Sequence, residues 1–142
     1  MRTAIHHAID SPRVSILLPV HNGERFLPAA VDSISRQTLR NIEIIIVDDG
    51  STDSSPLIVD RLASKDSRIR VLRRQACGIS SALEAARRIA RAPYIARMDC
   101  DDIALPHRLA AQVKYLDCRT SCVAVGGQVE VINESEIGRA HV

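Results

Sequence analysis

Three aspartates, Asp99, Asp101 and Asp102, fall within four residues, directly after the short apolar run 94–96. An apolar run of this length that ends in acids predicts a buried parallel strand opening into a loop at its carboxyl end. Ionised carboxylates held this close repel one another, so the loop needs a counter-charge. Their oxygens suit a hard divalent cation such as Mg²⁺ or Mn²⁺, which accepts substrate phosphates as further ligands. The alternative from these residues alone is a solvated acidic turn that caps the next helix.

The composition is that of one globular domain: 142 residues, 46% hydrophobic and 25% charged. A net charge of +2 and an aromatic content of 2% both argue against a nucleic-acid-binding protein. No Cys-x-x-Cys pair is present, which predicts buried free thiols in a reducing cytoplasm at Cys77, Cys100, Cys118 and Cys122. Residues 1–12 lack the apolar core of a signal peptide, and no run is long enough to span a bilayer. We therefore expect an N-terminal tail over residues 1–12 and a domain over residues 13–133.

Strands and helices are predicted to alternate along the chain. Apolar runs predict strands over 14–19, 42–47, 69–72, 94–98 and, with looser alternation, 123–132. Helical spacing predicts helices over about 26–34, 55–65 and 78–90 and one that begins at Pro106, with Ser55 as the N-cap of the second. This order is typical of an α/β, Rossmann-like fold, a doubly wound and mostly parallel sheet with helices on both faces.

Several polar loops are expected to meet at one rim of this sheet. If the strand order is 3-2-1-4, residues 19–23, Asp49 and the acidic loop all lie at strand carboxyl ends beside the switch point. Gly78 opens the third helix, where free backbone N–H groups can hold an anion. Arg73 and Arg74 follow the third strand and could face a phosphate, with solvated charges as an equal alternative. The convergence favours metal and nucleotide chemistry over a solvated turn.

Three stretches resemble the family 2 glycosyltransferases, which have the GT-A fold. Residues 14–23 are similar to the family's opening strand and loop, residues 45–53 to its second signature, and residues 94–102 to its DXD region, with Leu105-Pro106 as the usual sequel. The resemblance implies inverting transfer of a sugar from a nucleotide-diphospho-sugar, most often a UDP-sugar. It also implies Mn²⁺ or Mg²⁺ as cofactor and an unknown acceptor that is a saccharide or lipid-linked.

The resemblance also implies roles for individual residues. Pro19 and His21 border the base, and Asp49 accepts a hydrogen bond from it. Asp101 lies near the ribose, and Asp102 is the direct metal ligand. The expected nucleotide-sugar-binding residues are Pro19, His21, Asp49, Gly78, Asp99 and Asp101, and the expected metal ligands are Asp102 and Asp101. Two positions depart from the family pattern, because His21 stands where a tyrosine is more frequent and Glu84 where an asparagine is usual.

The family's catalytic base is an acid well downstream, so the resemblance implies that the base lies beyond residue 142. This chain would then carry the donor-binding half only and be inactive alone. Residues 137–142 correspond to a translated sequencing adaptor, so we expect a non-native or disordered tail over residues 134–142. The resemblance further implies a cytoplasmic enzyme of cell-envelope polysaccharide synthesis, with peripheral contact to the inner face of the membrane through the missing part as an option.

Other classes of protein stay open at this point. A phosphotransfer domain, either a haloacid-dehalogenase-like phosphatase or a receiver, is one, because Asp99-x-Asp101 after a strand is similar to the phosphatase motif. That motif, however, has Thr or Val where Ile103 stands, and it usually follows the first strand. A nucleotidyltransferase would share the fold but needs a glycine-rich loop after strand one, which is missing. A non-catalytic nucleotide-binding module is the remaining alternative.

Overall fold

The structure, a computed structural model, describes residues 11–132. Its strands are β1 (Val14–Val20), β2 (Ile42–Asp49), β3 (Ile69–Arg74) and β4 (Tyr94–Arg97). They form one sheet in the order β3-β2-β1-β4, and every neighbouring pair is parallel. The predicted α/β class and the predicted strand order are therefore confirmed.

Helices cover both faces of the sheet, and their bounds are α1 (Leu27–Ser35), α2 (Ser55–Lys65), α3 (Ile79–Ile89) and α4 (Arg108–Cys118). Buried side chains of α1, α2 and α4 pack with one face of β1 and β2, and those of α3 pack with the other face. Because β1 and β2 are covered on both sides, every residue in them is buried. This double burial explains why their sequences are nearly continuous apolar runs rather than alternating ones.

Small side chains bring α3 close to the sheet. Ala82 and Ala86 are fully buried against Leu17 of β1 and Ile45 of β2. Ile79, at the start of the same helix, is 49% exposed. It lies in the wall of the cleft described below.

A buried ion-pair network holds the sheet together at the rim formed by the amino ends of the strands. Glu43, near the start of β2, is 1% exposed. Its carboxylate accepts hydrogen bonds from Ser15 Oγ at 2.6 Å, from the Arg91 backbone N–H at 2.7 Å and from the guanidinium groups of Arg70 and Arg91 at 3.0 Å. Burial alone would raise the pKa of Glu43, but these hydrogen bonds outweigh it and lower the pKa from 4.5 to about 2.

The predicted fifth strand over residues 123–132 is wrong for the part of the chain described here. These residues form no strand, and Val123, Val129 and Val131 are 97%, 91% and 95% exposed. Loose alternation indicates a strand only when a neighbouring edge supplies hydrogen bonds, and β4, the edge of this sheet, does not pair with this segment. Gly126 and Gly127 add to the entropic cost of ordering it.

Several helices and strands begin or end at other residues than the sequence predicts. Ser54, not Ser55, is the N-cap of α2, because Ser55 already has helical geometry and sits in the first turn. β3 continues to Arg74, two residues further than expected, because its register with β2 runs on to Asp49. The last helix begins at Arg108 after a turn, rather than at Pro106.

The cysteines follow the prediction only in part. All four are free, but Cys77 and Cys118 are exposed rather than buried, while Cys100 and Cys122 are partly buried. Residues 1–10 and the predicted tail over residues 134–142 lie outside the described residues. No helix within residues 11–132 is long and apolar enough to cross a membrane.

Candidate functional site

One cleft of about 490 Å³ opens at the carboxyl rim of the sheet, within the usual size range of small-molecule sites. The loops after β1, β3 and β4, the last residue of β2 and the start of α3 form its wall. The structure brings together the six residues predicted for nucleotide-sugar binding, since the wall includes Pro19, His21, Asp49, Gly78, Asp99 and Asp101. Asp102, the predicted metal ligand, is exposed beside them and is not part of that wall.

Asp49 joins the end of β2 to the start of α3. Its carboxylate accepts hydrogen bonds from the backbone N–H of Gly78 at 2.7 Å and from that of Cys77 at 3.1 and 3.2 Å. Arg74 Nε lies 3.2 Å from Asp49 Oδ1. A carboxylate offers about four lone-pair sites, so Asp49 keeps capacity for one further donor from the cleft.

Gly78 has a different immediate role from the one predicted. It is the N-cap of α3 with φ of +89°, in the region that favours glycine, and its N–H points to Asp49 rather than to an open anion site. Nearby, Gly50 has φ of +72°, and a Cβ there would lie 2.7 Å from the backbone nitrogen of Ala76. Only a glycine at position 50 lets the loop after β2 approach the loop after β3 this closely.

His21 has a defined tautomer in this arrangement. Its Nδ1 lies 2.8 Å from the main-chain carbonyl oxygen of Asp49. A carbonyl oxygen can only accept, so Nδ1 carries the hydrogen and donates it. In the neutral ring Nε2 is then an acceptor, and the exposed imidazole stands at the cleft wall.

The loops after β1 and β2 are braced against each other by Asn22, a feature that the sequence analysis missed. Asn22 adopts φ of +53°, and its backbone N–H donates to Ser51 Oγ at 3.0 Å. Its side-chain Oδ1 accepts from the backbone N–H groups of Thr52 at 2.8 Å and Asp53 at 3.3 Å. The signal in the sequence was the pairing of an Asn-Gly turn with a loop of Ser, Thr and Asp, residues that bond nearby backbone.

Three more bonds complete this brace. The Gly23 N–H donates to the buried Ser55 Oγ at 2.9 Å. Glu24 N–H donates to Asp53 Oδ2 at 3.0 Å, and Ser54 N–H donates to Glu24 Oε2 at 2.9 Å. The polar residues that follow β1 and β2 therefore form hydrogen bonds mainly with each other, and these bonds fix the positions of His21 and Asp49.

The loop after β4 carries the three acids in different settings. Asp99 and Asp101 both lie in the cleft wall, and Asp99 also forms an ion pair with Arg97. Burial, and then the negative charges of Asp99 and Asp101, raise the pKa of the Asp102 carboxyl above its ordinary value, although Arg108 partly offsets them. Cys100, between the acids, packs under the first loop, because a Cβ on Gly23 would lie 2.9 Å from its Sγ.

Gln37 anchors the chain that leaves the acidic loop. It is fully buried, and its Nε2 donates to the carbonyl oxygen of Leu105 at 2.7 Å, while its Oε1 accepts from the Leu109 N–H at 3.1 Å. Ala104 N–H donates to Ser33 Oγ at 3.0 Å. Helix α1 thus holds both the loop and the start of α4.

The two arginines at the end of β3 do not both face the cleft. Arg73 pairs with Asp60 of α2 on the surface. Arg74 donates to the carbonyl oxygen and to Oγ of Ser81, both at 2.7 Å, and lies beside Asp49. Arg74 therefore stabilises the cleft wall through its contacts with Ser81 and Asp49.

The donor set suits a divalent cation that is only partly held by protein. Within the described residues, no three His, Cys, Asp or Glu side chains are grouped to hold a metal ion. Mg²⁺ sites commonly use one or two carboxylates and complete the shell with substrate phosphates and water. Partial desolvation, and then the negative charges of Asp99 and Asp101, raise the pKa of Asp102, and a bound cation would offset that repulsion. Asp101 and Asp102 fit that kind of site.

Comparisons with known proteins show the family and the fold. The family model described as Glycosyl transferase family 2 matches residues 15–142. An uncharacterized glycosyltransferase of Haemophilus influenzae is 34% identical over 130 residues, which cover 91% of this chain and 40% of the relative. The chain thus spans about two fifths of that relative's length.

Two solved structures are similar in fold. Staphylococcus aureus TarS 1–349, in complex with UDP, superposes with a TM-score of 0.70 at 22% identity over 76% of this chain and 33% of TarS. The mannosyltransferase PcManGT from Pyrobaculum calidifontis, in complex with GDP-Man and Mn²⁺, has a TM-score of 0.68 at 29% identity, over 75% of this chain and 32% of PcManGT. With the family model matching residues 15–142, well over half of the sequence, the chain belongs to glycosyl transferase family 2.

Proposed function

We propose that residues 13–133 bind a nucleotide-diphospho-sugar and that the whole protein transfers the sugar, with inversion, to an acceptor hydroxyl. The observation that carries the proposal is the single cleft whose wall holds the base-side residues His21 and Asp49 and the acids Asp99 and Asp101. Membership of glycosyl transferase family 2 supports it, as does the likeness to PcManGT, which was solved with GDP-Man and Mn²⁺. No specific observation favours either phosphotransfer alternative.

The base end of the donor is recognised by side chains that the loop brace holds in place. The free acceptor capacity of Asp49 receives an N–H of the base, such as the ring N–H of uracil, which makes a UDP-sugar our preferred donor. Pro19 and His21 border the ring, and the imidazole can stack against it. Gly78 keeps Asp49 in position through the 2.7 Å hydrogen bond.

The diphosphate end is placed against the acids. Asp102 and Asp101 would hold Mn²⁺ or Mg²⁺, and Asp101 would lie near the ribose. When bound, the metal would supply Lewis-acid stabilisation of the negative charge that develops on the leaving nucleoside diphosphate. Asp101 and Asp102 themselves orient the diphosphate by fixing the position of that positive charge.

The acceptor side belongs to the rest of the protein in this proposal. Deprotonation of the acceptor hydroxyl needs a base within hydrogen-bond reach, and we place that base outside residues 1–142. The chain's span of 40% of its Haemophilus influenzae relative supports this division. A saccharide or lipid-linked acceptor in cell-envelope polysaccharide synthesis, at the cytoplasmic side of the membrane, is our working assignment.

Nucleotide binding tests the proposal directly. UDP and GDP are titrated into the chain with and without Mn²⁺, and the same titrations are run on Asp102→Asn. We expect Mn²⁺-dependent binding of UDP that Asp102→Asn weakens by at least about 10–100-fold, the range known for changes around metal ligands. Asp32→Asn on the surface of α1 is the matched control and should bind as wild type does. Equal binding by Asp102→Asn and wild type in Mn²⁺ would remove the metal role.

Transfer is tested separately. The purified chain is incubated with labelled UDP-sugars, Mn²⁺ and a mixed acceptor pool. We expect nucleotide binding without acceptor-dependent product, because losing a positioned base typically forfeits about 10²–10⁴-fold in rate. Product formed over multiple turnovers would show that residues 1–142 already contain the base.

A further inference from the structure

The ion pair between Arg97 and Asp99 occupies both oxygens of one acid in the loop. Arg97 Nε donates to Asp99 Oδ1 and Arg97 Nη2 donates to Oδ2, each at 3.1 Å. This two-pronged geometry fixes the orientation of the carboxylate, and the pair is solvent-exposed, at 57% for the Arg97 side chain and 39% for that of Asp99. Arg108 Nη2 donates to the carbonyl oxygen of Arg97 at 3.0 Å, which fixes the strand end that carries the guanidinium.

The other two acids of the loop are not held in this way. Within residues 11–132, neither the Asp101 nor the Asp102 carboxylate forms an ion pair, although a backbone hydrogen bond from Asp99 and the charge of Arg108 act on the Asp102 carboxyl. The backbone N–H of Asp102 also donates to the carbonyl oxygen of Asp99 at 3.2 Å. The loop therefore offers a cation two available carboxylates, with the third already neutralised.

We propose that Arg97 is a positioning residue that keeps Asp99 out of the metal's coordination shell, so that tight metal binding requires the donor diphosphate. Two carboxylates hold a hard cation weakly, and affinity rises with the number of charged ligands. The diphosphate then supplies the missing oxygens, which couples metal binding to donor binding. The inference rests on the proposed function, since it assumes that Asp101 and Asp102 bind the metal.

The test measures Mn²⁺ alone, without nucleotide, by titration followed by the EPR signal of free Mn²⁺. Arg97→Gln releases Asp99 as a third carboxylate, and we expect Mn²⁺ to bind at least about tenfold more tightly than to wild type. The double variant Arg97→Gln/Asp99→Asn has the same net charge as wild type and two available carboxylates, so its affinity should return to the wild-type value. Thermal unfolding of each variant confirms that the fold is kept.

Arg108→Gln controls for charge. It removes another positive charge that acts on Asp102, together with the hydrogen bond to the Arg97 carbonyl oxygen, but it leaves the Arg97–Asp99 ion pair and releases no carboxylate. If Arg108→Gln tightens Mn²⁺ binding as much as Arg97→Gln does, the effect is one of net charge and the proposal is overturned. It is also overturned if Arg97→Gln binds Mn²⁺ as wild type does, or if the double variant binds more weakly than wild type, because Asp99 would then already be a ligand.

Repeating the titrations with UDP present measures the coupling. UDP should strengthen Mn²⁺ binding by a larger factor in wild type than in Arg97→Gln, because in the variant Asp99 already supplies a third carboxylate to the metal. Equal factors would contradict the coupling. Asp102→Asn separates the two proposals: if it loses Mn²⁺-dependent UDP binding while Arg97→Gln changes nothing, the proposed function stands and only the role of Arg97 fails.

Discussion

The carboxylate of Asp49 accepts a hydrogen bond from the backbone N–H of Gly78 at 2.7 Å. One side chain at the end of β2 thus satisfies a backbone donor at the start of α3, where helices leave such groups unpaired. The same side chain is part of the cleft wall. Its substitution should therefore affect both ligand binding and stability, and the two effects can be measured apart.

For Asp49→Ala we expect weaker UDP binding with little change in the binding of free pyrophosphate, because the lost acceptor faces the base. Leaving a buried partner unpaired costs roughly 1–3 kcal/mol of binding free energy. Asp49→Asn keeps one oxygen for Gly78 and should retain most of the stability to urea that Asp49→Ala loses. If UDP and pyrophosphate weaken alike, Asp49 serves the phosphates or the fold instead.

The brace between the first two loops predicts a graded series at Asn22. Asn22→Ala removes the acceptor for two backbone N–H groups and places an alanine at φ of +53°, so unfolding free energy in urea should fall by about 1–3 kcal/mol. Asn22→Gly loses the acceptor but accepts the backbone angle and should lose less. Asn22→Asp keeps an acceptor oxygen and should stay nearest to wild type. A series in which glycine is as damaging as alanine would show that the backbone angle contributes nothing.

The network around Glu43 predicts a specific loss of stability in acid. The pKa of Glu43 is about 2 in the fold against 4.5 for an ordinary glutamate, so its ionised form stabilises the fold fully above about pH 4.5 and this contribution is lost as the pH falls toward 2. The contribution is at most about 3 kcal/mol. Urea unfolding should show a wild-type advantage over Glu43→Gln that narrows between about pH 6 and about pH 3.

An exposed carboxylate provides the control for that experiment. Glu84 pairs with Arg87 and Arg88 on the surface of α3. Surface pairs contribute little to stability, so Glu84→Gln should follow wild type at each pH. A constant gap between wild type and Glu43→Gln across the whole range would mean that packing, not ionisation, accounts for the effect.

Gln37 tests whether α1 holds the chain beyond the acids. Gln37→Leu leaves the buried Leu109 N–H and Leu105 carbonyl oxygen without their partner, and we expect a loss of unfolding free energy of roughly 1–3 kcal/mol. Gln37→Glu keeps the acceptor for Leu109 but not the donor for Leu105, and should be intermediate when stability is measured in urea. Equal stability of Gln37→Leu and wild type would show that water replaces both bonds.

The strand order could be predicted because nearly continuous apolar runs indicate strands that are buried on both faces. The runs of β1 and β2 therefore place these two strands at the centre of the sheet. The placement of Asp49 and Asp101 at one rim followed from the polarity of parallel strands alone. The hydrogen bonds that the backbone N–H groups of Cys77 and Gly78 donate to the Asp49 carboxylate could not be predicted, because they depend on how a loop from a later part of the chain folds back.

Other failures have different causes. The segment 123–132 shows alternation, but periodicity does not state whether a partner edge is present. The polar residues around Asn22 were visible in the sequence, yet their composition alone suited a ligand as well as a neighbouring loop. Whether such side chains bind substrate or backbone is decided by distances of a few ångström that no pattern encodes.

The central place of β1 bears on how the nascent chain folds at the ribosome. One edge of β1 pairs with β2, the next strand to be synthesised, and the other with β4, the last of the four strands within residues 11–132, since Val14 is in register with both Ile42 and Tyr94. Chains fold from the N-terminus as they emerge, so the half of the cleft around His21 and Asp49 is expected to assemble first. Until β4 is made, β1 keeps an open edge that invites wrong pairing, and slow translation between residues 75 and 93 would prolong that exposure.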